Sequence, residues 1–272
     1  MTQKNSWLRN EVAAFAARPR ILVAVDFDGT LAPFVLDPLQ ARAVPGGLEA
    51  LRAAGALEGV TAAVVSGRDL ATLATLTGIG PGDSVTLIAS HGAQANIDPA
   101  REAGLLNEAA IARLSVVSSE LEAIRSRYPA VRLEYKPSAV ALHTRGVEPS
   151  VAAAATNAAR DVGEGLPGVH VMPGKDVMEL TVLEANKGSA IVRLARATGS
   201  EATLYVGDDV TDERAFAALD PSSGDLTVKV GDGETVAAQR VPDPTSVVEL
   251  LELFVDQRRA APRHGGTRGV GH

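Results

Sequence analysis

A run of five apolar residues, Ile21–Val25, ends abruptly in the sequence DFDGT at Asp26–Thr30. A short apolar run that is bounded by turn residues is typical of a buried strand in a parallel sheet. Ligands of open α/β sheets bind just beyond the carboxyl ends of such strands. Asp and Gly also favour ordinary turns, so this segment alone has a plainer interpretation. Its two carboxylates are candidate site residues whose role depends on the rest of the chain.

The pattern of an apolar run followed by polar turn residues returns in the first and last thirds of the chain. The predicted strands there are Ile21–Val25, Val60–Val65, Val85–Ala89, Thr203–Val206 and Leu226–Val230. The predicted helices are Gly47–Ala54, Asp69–Thr77, Lys187–Ala197, Thr211–Leu219 and Ser246–Phe254. Strands that alternate with helices predict βαβ units and a parallel sheet. We therefore predict an α/β protein with a Rossmann-like, doubly wound parallel sheet of five or six strands.

The middle of the chain follows a different pattern. Apolar side chains step by three or four from Leu106 to Tyr128, which predicts one long helix. The elements predicted after it are strands Val131–Tyr135, Val140–Thr144, Val169–Met172 and Val177–Val182, and an Ala-rich helix Pro149–Val162. Two helices against four strands predict a small α+β layer. We predict a discontinuous core (1–95 and 183–257), an inserted α/β cap for substrate specificity (96–182) and a disordered tail (258–272).

Composition narrows the class of protein. A chain of 272 residues is long enough to bury a large core, and its net charge of −7 argues against general nucleic-acid binding. No apolar run reaches the length of a membrane span, and Met1–Arg20 lacks the apolar core of a secretory signal. The absence of cysteine excludes disulfides and thiolate metal sites. We expect a cytoplasmic enzyme, a monomer rather than an oligomer, that binds a small molecule and neither nucleic acid nor membrane.

Three further segments carry polar groups at predicted strand or helix ends. Ser66-Gly-Arg68 follows the second strand, Asn186-Lys187-Gly begins a helix, and GDDVTD at Gly207–Asp212 follows the strand Thr203–Val206. Taken singly, they fit a turn, a solvated lysine and a helix cap with acids near its dipole. Strand ends of one sheet face the same crevice, so their order and placement favour a shared catalytic site.

These residues suit the hydrolysis of a phosphate ester. Asp26 and Asp208 would bind Mg²⁺, a hard cation that prefers oxygen ligands. Lys187 would offset the charge of the phosphoryl group, and Ser66 would hold its oxygens. Asp26 would attack phosphorus to give an aspartyl-phosphate. Asp28 would protonate the leaving alkoxide and then deprotonate the attacking water.

With these segments assembled, the chain resembles the haloacid dehalogenase superfamily of phosphotransferases from about residue 20 to residue 254. The residues similar to its four motifs, in order, are Asp26–Thr30, Ser66, Lys187, and Asp208 with Asp212. The resemblance implies a Rossmann-like core, a Mg²⁺ requirement and Asp26 as the nucleophile. It also implies that Asp28 lends its backbone carbonyl to the metal, with Asp209 and Asp212 supporting the ligands from behind.

Finer features are similar to one member family, the trehalose-6-phosphate phosphatases. They are GDDVTDE (Gly207–Glu213), SHGA (Ser90–Ala93), EYKPS (Glu134–Ser138), VALHTR (Val140–Arg145) and GKDVME (Gly174–Glu179). The substrate-binding residues implied by this resemblance are Arg68, Gly92, Glu134, Lys136, Lys175 and Glu179. Carboxylates accept hydrogen bonds from sugar hydroxyls and lysine donates them, so such a set can select a sugar by polar pairing. The alternative is that the cap residues are ordinary exposed charges.

The resemblance implies a Mg²⁺-dependent phosphatase that converts trehalose 6-phosphate to trehalose and phosphate in trehalose biosynthesis. Within the same class, the alternative is a phosphatase for sucrose phosphate or a hexose phosphate, and a mutase would return the phosphoryl group to a sugar. A non-catalytic sugar-phosphate sensor belongs to another class. The two acids of the first motif argue against a sensor, which needs no proton shuttle. The sequence assigns no role to His91 or His143.

Overall fold

The computed structural model describes residues 4–97, 106–174, 176–183 and 186–261. Its strands are β1 (Ile21–Asp26), β2 (Val60–Val65), β3 (Val85–Ala89), β4 (Gln94–Ala95), β5 (Arg132–Tyr135), β6 (Ala139–His143), β7 (His170–Gly174), β8 (Val177–Thr181), β9 (Ala202–Gly207), β10 (Leu226–Val230) and β11 (Gln239–Val241). Its α-helices are α1 (Lys4–Ala16), α2 (Gly47–Gly55), α3 (Leu70–Thr77), α4 (Glu108–Arg127), α5 (Pro149–Gly165), α6 (Lys187–Thr198), α7 (Val210–Ala218) and α8 (Pro244–Ala260).

The chain divides into two compact units. Met1–Asn96 and Lys187–His272 form a discontinuous core unit, and Ile97–Asn186 forms an inserted unit. The inserted unit begins one residue later and ends four residues later than the predicted cap. The inserted unit therefore ends directly before Lys187, the first residue of α6.

The core unit holds a seven-stranded sheet in the order β11-β10-β9-β1-β2-β3-β4. All neighbours are parallel except β3 and β4, which are antiparallel. The predicted doubly wound parallel sheet is confirmed, but its predicted size of five or six strands is wrong. The two additional strands are edge strands of two residues in β4 and three in β11, too short to carry a readable hydrophobic pattern.

Both faces of this sheet are covered, which explains why β1 is continuously apolar. Ile21, Val23 and Val25 belong to a buried cluster with side chains of α1, α2, α3 and α8. Leu22 and Ala24, which point the other way, belong to a second cluster with side chains of α6 and α7. Alternate residues of one strand therefore serve two separate cores, as expected for a buried parallel strand.

The register of the central strands brings polar residues to one edge of the sheet. Asp26 of β1 pairs with Val65 of β2, so Ser66 emerges beside it. On the other side, Val25 pairs with Val206 of β9, so the loop after Gly207 emerges at the same edge. Three of the four sequence segments expected to share a site are therefore neighbours by strand pairing.

The inserted unit contains a four-stranded antiparallel sheet in the order β5-β6-β8-β7. One face of this sheet packs against both helices of the unit, with Val117 and Leu121 of α4 and Ala155 of α5 buried beside Leu142 and Leu180. The predicted long helix and four strands are therefore present, and they form the expected α+β layer. The opposite face carries charged residues, among them Glu134 and Glu179.

The predicted tail begins too early. Helix α8 continues through Ala260 because Arg258 is anchored to backbone carbonyls. Its Nη1 donates to Ala16 O at 2.7 Å, and its Nη2 donates to Pro19 O at 2.9 Å and Glu58 O at 2.6 Å. Residues 262–272, the remainder of the predicted tail, lie outside the described residues.

Helix α1 was not predicted from the sequence. Its residues Val12, Phe15 and Ala16 are buried in the core cluster, and the ring of Phe15 lies 5.9 Å from the ring of Phe254. Among the described residues, no helix combines the length and the apolar character that crossing a bilayer requires.

Candidate active site

A buried ion-paired triad lies at the carboxyl edge of the core sheet. Asp26 at the end of β1 and Lys187 at the start of α6 are each 3% exposed. Lys187 Nζ lies 2.8 Å from Asp26 Oδ1 and 2.7 Å from Asp212 Oδ1. Three of the four predicted motif segments therefore meet around one ammonium group.

Asp212 is the fixed support of this triad. Its Oδ1 accepts hydrogen bonds from Lys187 Nζ and from the Tyr205 hydroxyl at 2.6 Å. Its Oδ2 accepts from the backbone N–H groups of Asp208 at 3.0 Å and Asp209 at 2.9 Å. Four hydrogen bonds occupy a carboxylate, so Asp212 sets the shape of the loop that carries Asp208. Asp209 forms the N-cap of α7 in a capping box with Asp212, so the capping interpretation also holds.

Three carboxylates of the site lie close together, and two of them, Asp26 and Asp208, could share a metal ion, since Asp212 is already occupied by four hydrogen bonds. One oxygen from each of Asp26, Asp208 and Asp212 lies within 4.8 Å of the others. Burial raises the pKa of Asp26 well above its ordinary value, Lys187 opposes this shift, and Asp212 adds to it. Burial also raises the pKa of Asp208. A hard divalent cation fits this oxygen set, because it would compensate charges that Lys187 alone does not balance.

The position of Asp208 depends on the first motif. Thr30 Oγ1 donates to Asp208 Oδ1 at 3.0 Å. Gly29 has a φ of +80°, and a Cβ at this position would lie 2.1 Å from Asp208 Oδ2. Glycine is therefore required on two counts: the left-handed backbone and the close approach of the carboxylate.

Asp28 and Arg68 are paired with each other. Arg68 Nε lies 2.7 Å from Asp28 Oδ2, and Arg68 Nη2 lies 2.7 Å from Asp28 Oδ1, a bidentate arrangement. The guanidinium also lies 5.9 Å from the ring centre of Phe27. The sequence predicted Asp28 as a proton carrier and Arg68 as a substrate ligand, and did not predict that they bind one another. Ser66 is buried behind them, with its hydroxyl accepting from the Arg68 N–H at 3.2 Å.

A cavity of about 340 Å³ opens over these residues. Its lining comprises Asp26, Asp28, Phe34, Pro38, Ser66, Gly67, Arg68, His91, Lys187, Asp209 and Thr211. The four predicted catalytic residues and Arg68 are thus brought together. Gly92 is not in the lining, and its carbonyl accepts from Arg193 Nη2 at 3.1 Å.

Phe34 and His91 are among the lining residues that the sequence analysis did not predict as site residues. Ser90 and His91 both have positive φ, 50° and 55°, which is uncommon for residues other than glycine and recurs at functional sites. Burial lowers the pKa of His91, and the charge of Lys187 lowers it further. The histidine in SHGA was a visible signal, whereas nothing in the sequence marked Phe34.

The inserted unit carries the predicted sugar ligands on one sheet face. Glu134 and Glu179 both pair with Ala141, from opposite sides, so their side chains share a face. Lys136 Nζ forms an ion pair with Glu179 Oε2. His143 Nε2 lies 2.7 Å from Glu134 Oε2, and this hydrogen bond lowers the pKa of Glu134. Lys175, also predicted as a ligand, lies outside the described residues.

Comparisons with known proteins match most of this chain. A family model described as trehalose-phosphatase matches residues 24–244. The trehalose-phosphate phosphatase of Mycobacterium tuberculosis is 33% identical over 260 residues, covering 88% of this chain and 62% of that protein. The chain therefore spans less than two thirds of this curated relative's length.

Solved structures show the same fold. The trehalose-6-phosphate phosphatase of Aspergillus fumigatus has a TM-score of 0.54 at 25% identity, covering 91% of this chain and 97% of that chain. The C-terminal domain of the C. albicans trehalose-6-phosphate phosphatase has a TM-score of 0.53 at 22% identity, covering 94% and 98%.

The core sheet, with its acidic site at the carboxyl edge, has the fold of these phosphatases. More narrowly, the family model covers more than half of the residues, so the chain belongs to the trehalose-phosphatase family.

Proposed function

We propose that this chain is a Mg²⁺-dependent phosphatase that hydrolyses trehalose 6-phosphate through an aspartyl-phosphate. The observation that carries the proposal is the buried Asp26, held 2.8 Å from Lys187 beside two further carboxylates at the floor of a cavity. Burial raises the pKa of Asp26, and Lys187 opposes that rise. A protein that only senses a sugar phosphate has no use for this arrangement. Lys187 favours the ionised form of Asp26, the form that a nucleophile requires.

In the first step, Asp26 attacks phosphorus and the bond to the sugar oxygen breaks. Lys187 favours the ionised form of the Asp26 carboxylate and would offset the charge of the phosphoryl oxygens. Ser66 and the turn around it hold those oxygens in place. Asp26, Asp208 and the backbone carbonyl of Asp28 would hold Mg²⁺, which supplies further positive charge at the phosphoryl group.

The proton steps belong to Asp28. Its carboxyl group gives a proton to the leaving sugar oxygen, and its carboxylate then takes one from the water that hydrolyses the aspartyl-phosphate. Both Asp28 oxygens are bound by Arg68 in this structure. A phosphate dianion competes for the same guanidinium fork, so substrate binding would release Asp28 and allow it to carry a proton.

We propose that residues of the inserted unit select the substrate. Glu134, Lys136, Lys175 and Glu179 would bind sugar hydroxyls, and sites built to pair polar groups discriminate strongly against analogues that lack them. Membership of the trehalose-phosphatase family supports trehalose 6-phosphate over sucrose phosphate or a hexose phosphate. We further propose a role in trehalose biosynthesis, a monomer, and the cytoplasm as its location.

Phosphate release from a panel of sugar phosphates tests the function. Trehalose 6-phosphate, sucrose 6-phosphate and glucose 6-phosphate are compared by kcat/KM, with Mg²⁺ and with a chelator. We expect activity that requires Mg²⁺, prefers trehalose 6-phosphate at least about tenfold, and is abolished by Asp26→Asn. Arg52→Met, a charge change on a distant partly exposed ion pair, is the matched control and should retain activity.

Equal activity towards the three esters would contradict the proposed substrate and leave the phosphatase chemistry standing. Turnover by the Asp26→Asn variant would contradict the mechanism itself.

A further inference from the structure

Phe34 is the exception among the phenylalanines of this chain. The chain has five. Phe15, Phe27, Phe216 and Phe254 are at most 2% exposed, whereas Phe34 is 74% exposed. An exposed large apolar side chain at a cavity mouth is a common feature of ligand sites. The position of Phe34 therefore suits a ligand with an apolar surface.

Phe34 borders the same cavity as the proposed catalytic groups. Phe34 and Pro38 line it, and the remainder of the lining is mainly charged or hydroxyl-bearing, including Asp28, Arg68 and Lys187. These polar groups suit the phosphoryl end of a substrate. Phe34 and Pro38 supply the apolar wall at the same cavity.

The turn that follows Phe34 is held by local hydrogen bonds. The Asp37 carboxylate accepts from Leu39 N at 3.0 Å and caps a single helical turn that begins at Pro38. Arg42 Nη1 donates to Leu39 O at 3.0 Å and to Ala41 O at 2.7 Å. These bonds fix the turn that begins at Pro38, the other apolar residue of the cavity lining, and a fixed wall loses little freedom when a ligand packs against it.

We propose that Phe34 forms an apolar subsite for the sugar ring of the phosphate ester, a refinement that rests on the proposed phosphatase function. One face of a pyranose ring presents C–H groups that carry partial positive charge. The face of an aromatic ring is negative, so the two surfaces attract and exclude water together. The subsite binds the part of the substrate that does not react, and therefore distinguishes sugar esters from small alkyl phosphates.

The test compares Phe34→Ala and Phe34→Trp with the wild type, on trehalose 6-phosphate and on methyl phosphate. Phe34→Ala should raise KM for trehalose 6-phosphate about tenfold with kcat nearly unchanged, because uniform binding is lost. Methyl phosphate, which has no ring, should be hydrolysed with unchanged kcat/KM. Phe34→Trp should keep the wild-type KM. Leu36→Ala is the matched control, since Leu36 is exposed on the same segment but does not line the cavity.

Equal effects of Phe34→Ala on both esters, or no effect on either, would overturn the subsite. An effect of Leu36→Ala equal to that of Phe34→Ala would also overturn it, because the whole apolar segment would then be responsible. Affinity for trehalose 6-phosphate measured by calorimetry in metal-free buffer separates this inference from the proposed function. If the wild type does not turn over any ester, the function fails, while a tenfold weaker affinity of Phe34→Ala still supports the subsite. Equal affinities, or no binding, would contradict it.

Discussion

Replacing Lys187 with methionine removes the only cation that the described structure places in contact with Asp26. The substitution keeps the length of the side chain and leaves Asp26 and Asp212 buried without a counter-charge. Breaking a buried ion pair by removing one partner costs about 3–5 kcal/mol. We therefore expect Lys187→Met to lower the free energy of unfolding by about this amount, a fall in Tm on the order of 10 °C.

The matched control is Arg52→Met in the same unit. Arg52 pairs with Asp83 at 2.9 Å, but its side chain is 35% exposed, against 3% for Lys187. Exposed pairs are worth about 1 kcal/mol or less. Both variants are compared by urea unfolding in metal-free buffer.

The loss in Lys187→Met should depend on pH. Burial raises the pKa of Asp26 in the folded state, so the folded state binds a proton more tightly than the unfolded chain. A raised carboxyl pKa destabilises the fold as the pH rises from the unfolded value through the folded value. Without Lys187 nothing offsets this destabilisation. The free energy of unfolding of the variant should therefore lie only slightly below that of the wild type in mild acid and far below it at neutral pH. Adding Asp26→Asn to the Lys187→Met variant should recover part of the lost free energy of unfolding at neutral pH.

A loss no larger than that of Arg52→Met would refute the reasoning, as would a deficit of the same size in mild acid and at neutral pH. Either result would mean that the triad is solvated or already neutral.

Three further outcomes are expected. Asp28→Asn should lower kcat for trehalose 6-phosphate about 10²–10⁴-fold while calorimetry shows retained binding; unchanged turnover would exclude Asp28 as the proton carrier. Gly29→Ala should destabilise the core by about 1–3 kcal/mol in urea unfolding, since both the backbone and Asp208 must shift; a neutral change would contradict the close approach. Saturating Mg²⁺ should stabilise the wild type by about 2.7 kcal/mol at 100 times its Kd in thermal unfolding, and Asp208→Asn should lose most of this gain.

The central strands could be predicted from the sequence because each is a continuous apolar run. Strands β2, β3 and β10 have the predicted bounds, and β1 is longer by Asp26 alone. The edge strands β4 and β11 could not be found, because strands of two and three residues bury too little to leave a pattern. Helix α8 is longer than predicted because Arg258 binds carbonyls that are distant in sequence.

The residues brought together by strand order could be predicted from the sequence. The side chains that pair with one another within the site could not. The meeting of Asp26, Lys187 and Asp212 follows from segments at one edge of the sheet. The bidentate pair of Asp28 and Arg68 joins residues 40 positions apart, and only the folded geometry selects it over binding to substrate. The exposure of Phe34 is equally invisible in sequence, since an apolar residue near an apolar strand suggests burial.

The most direct test of the proposed chemistry is a rapid-quench reaction of the wild-type chain with trehalose 6-phosphate and Mg²⁺. Mass spectrometry of the acid-quenched protein should find one phosphoryl group on the peptide that contains Asp26, formed no more slowly than phosphate is released. The Asp28→Asn variant, which lacks the proposed proton carrier, is analysed beside the wild type. The Asp26→Asn variant should carry no phosphoryl group. Phosphate release by the wild type with no phosphoryl-protein at any time, or with the label on another residue, would contradict Asp26 as the nucleophile.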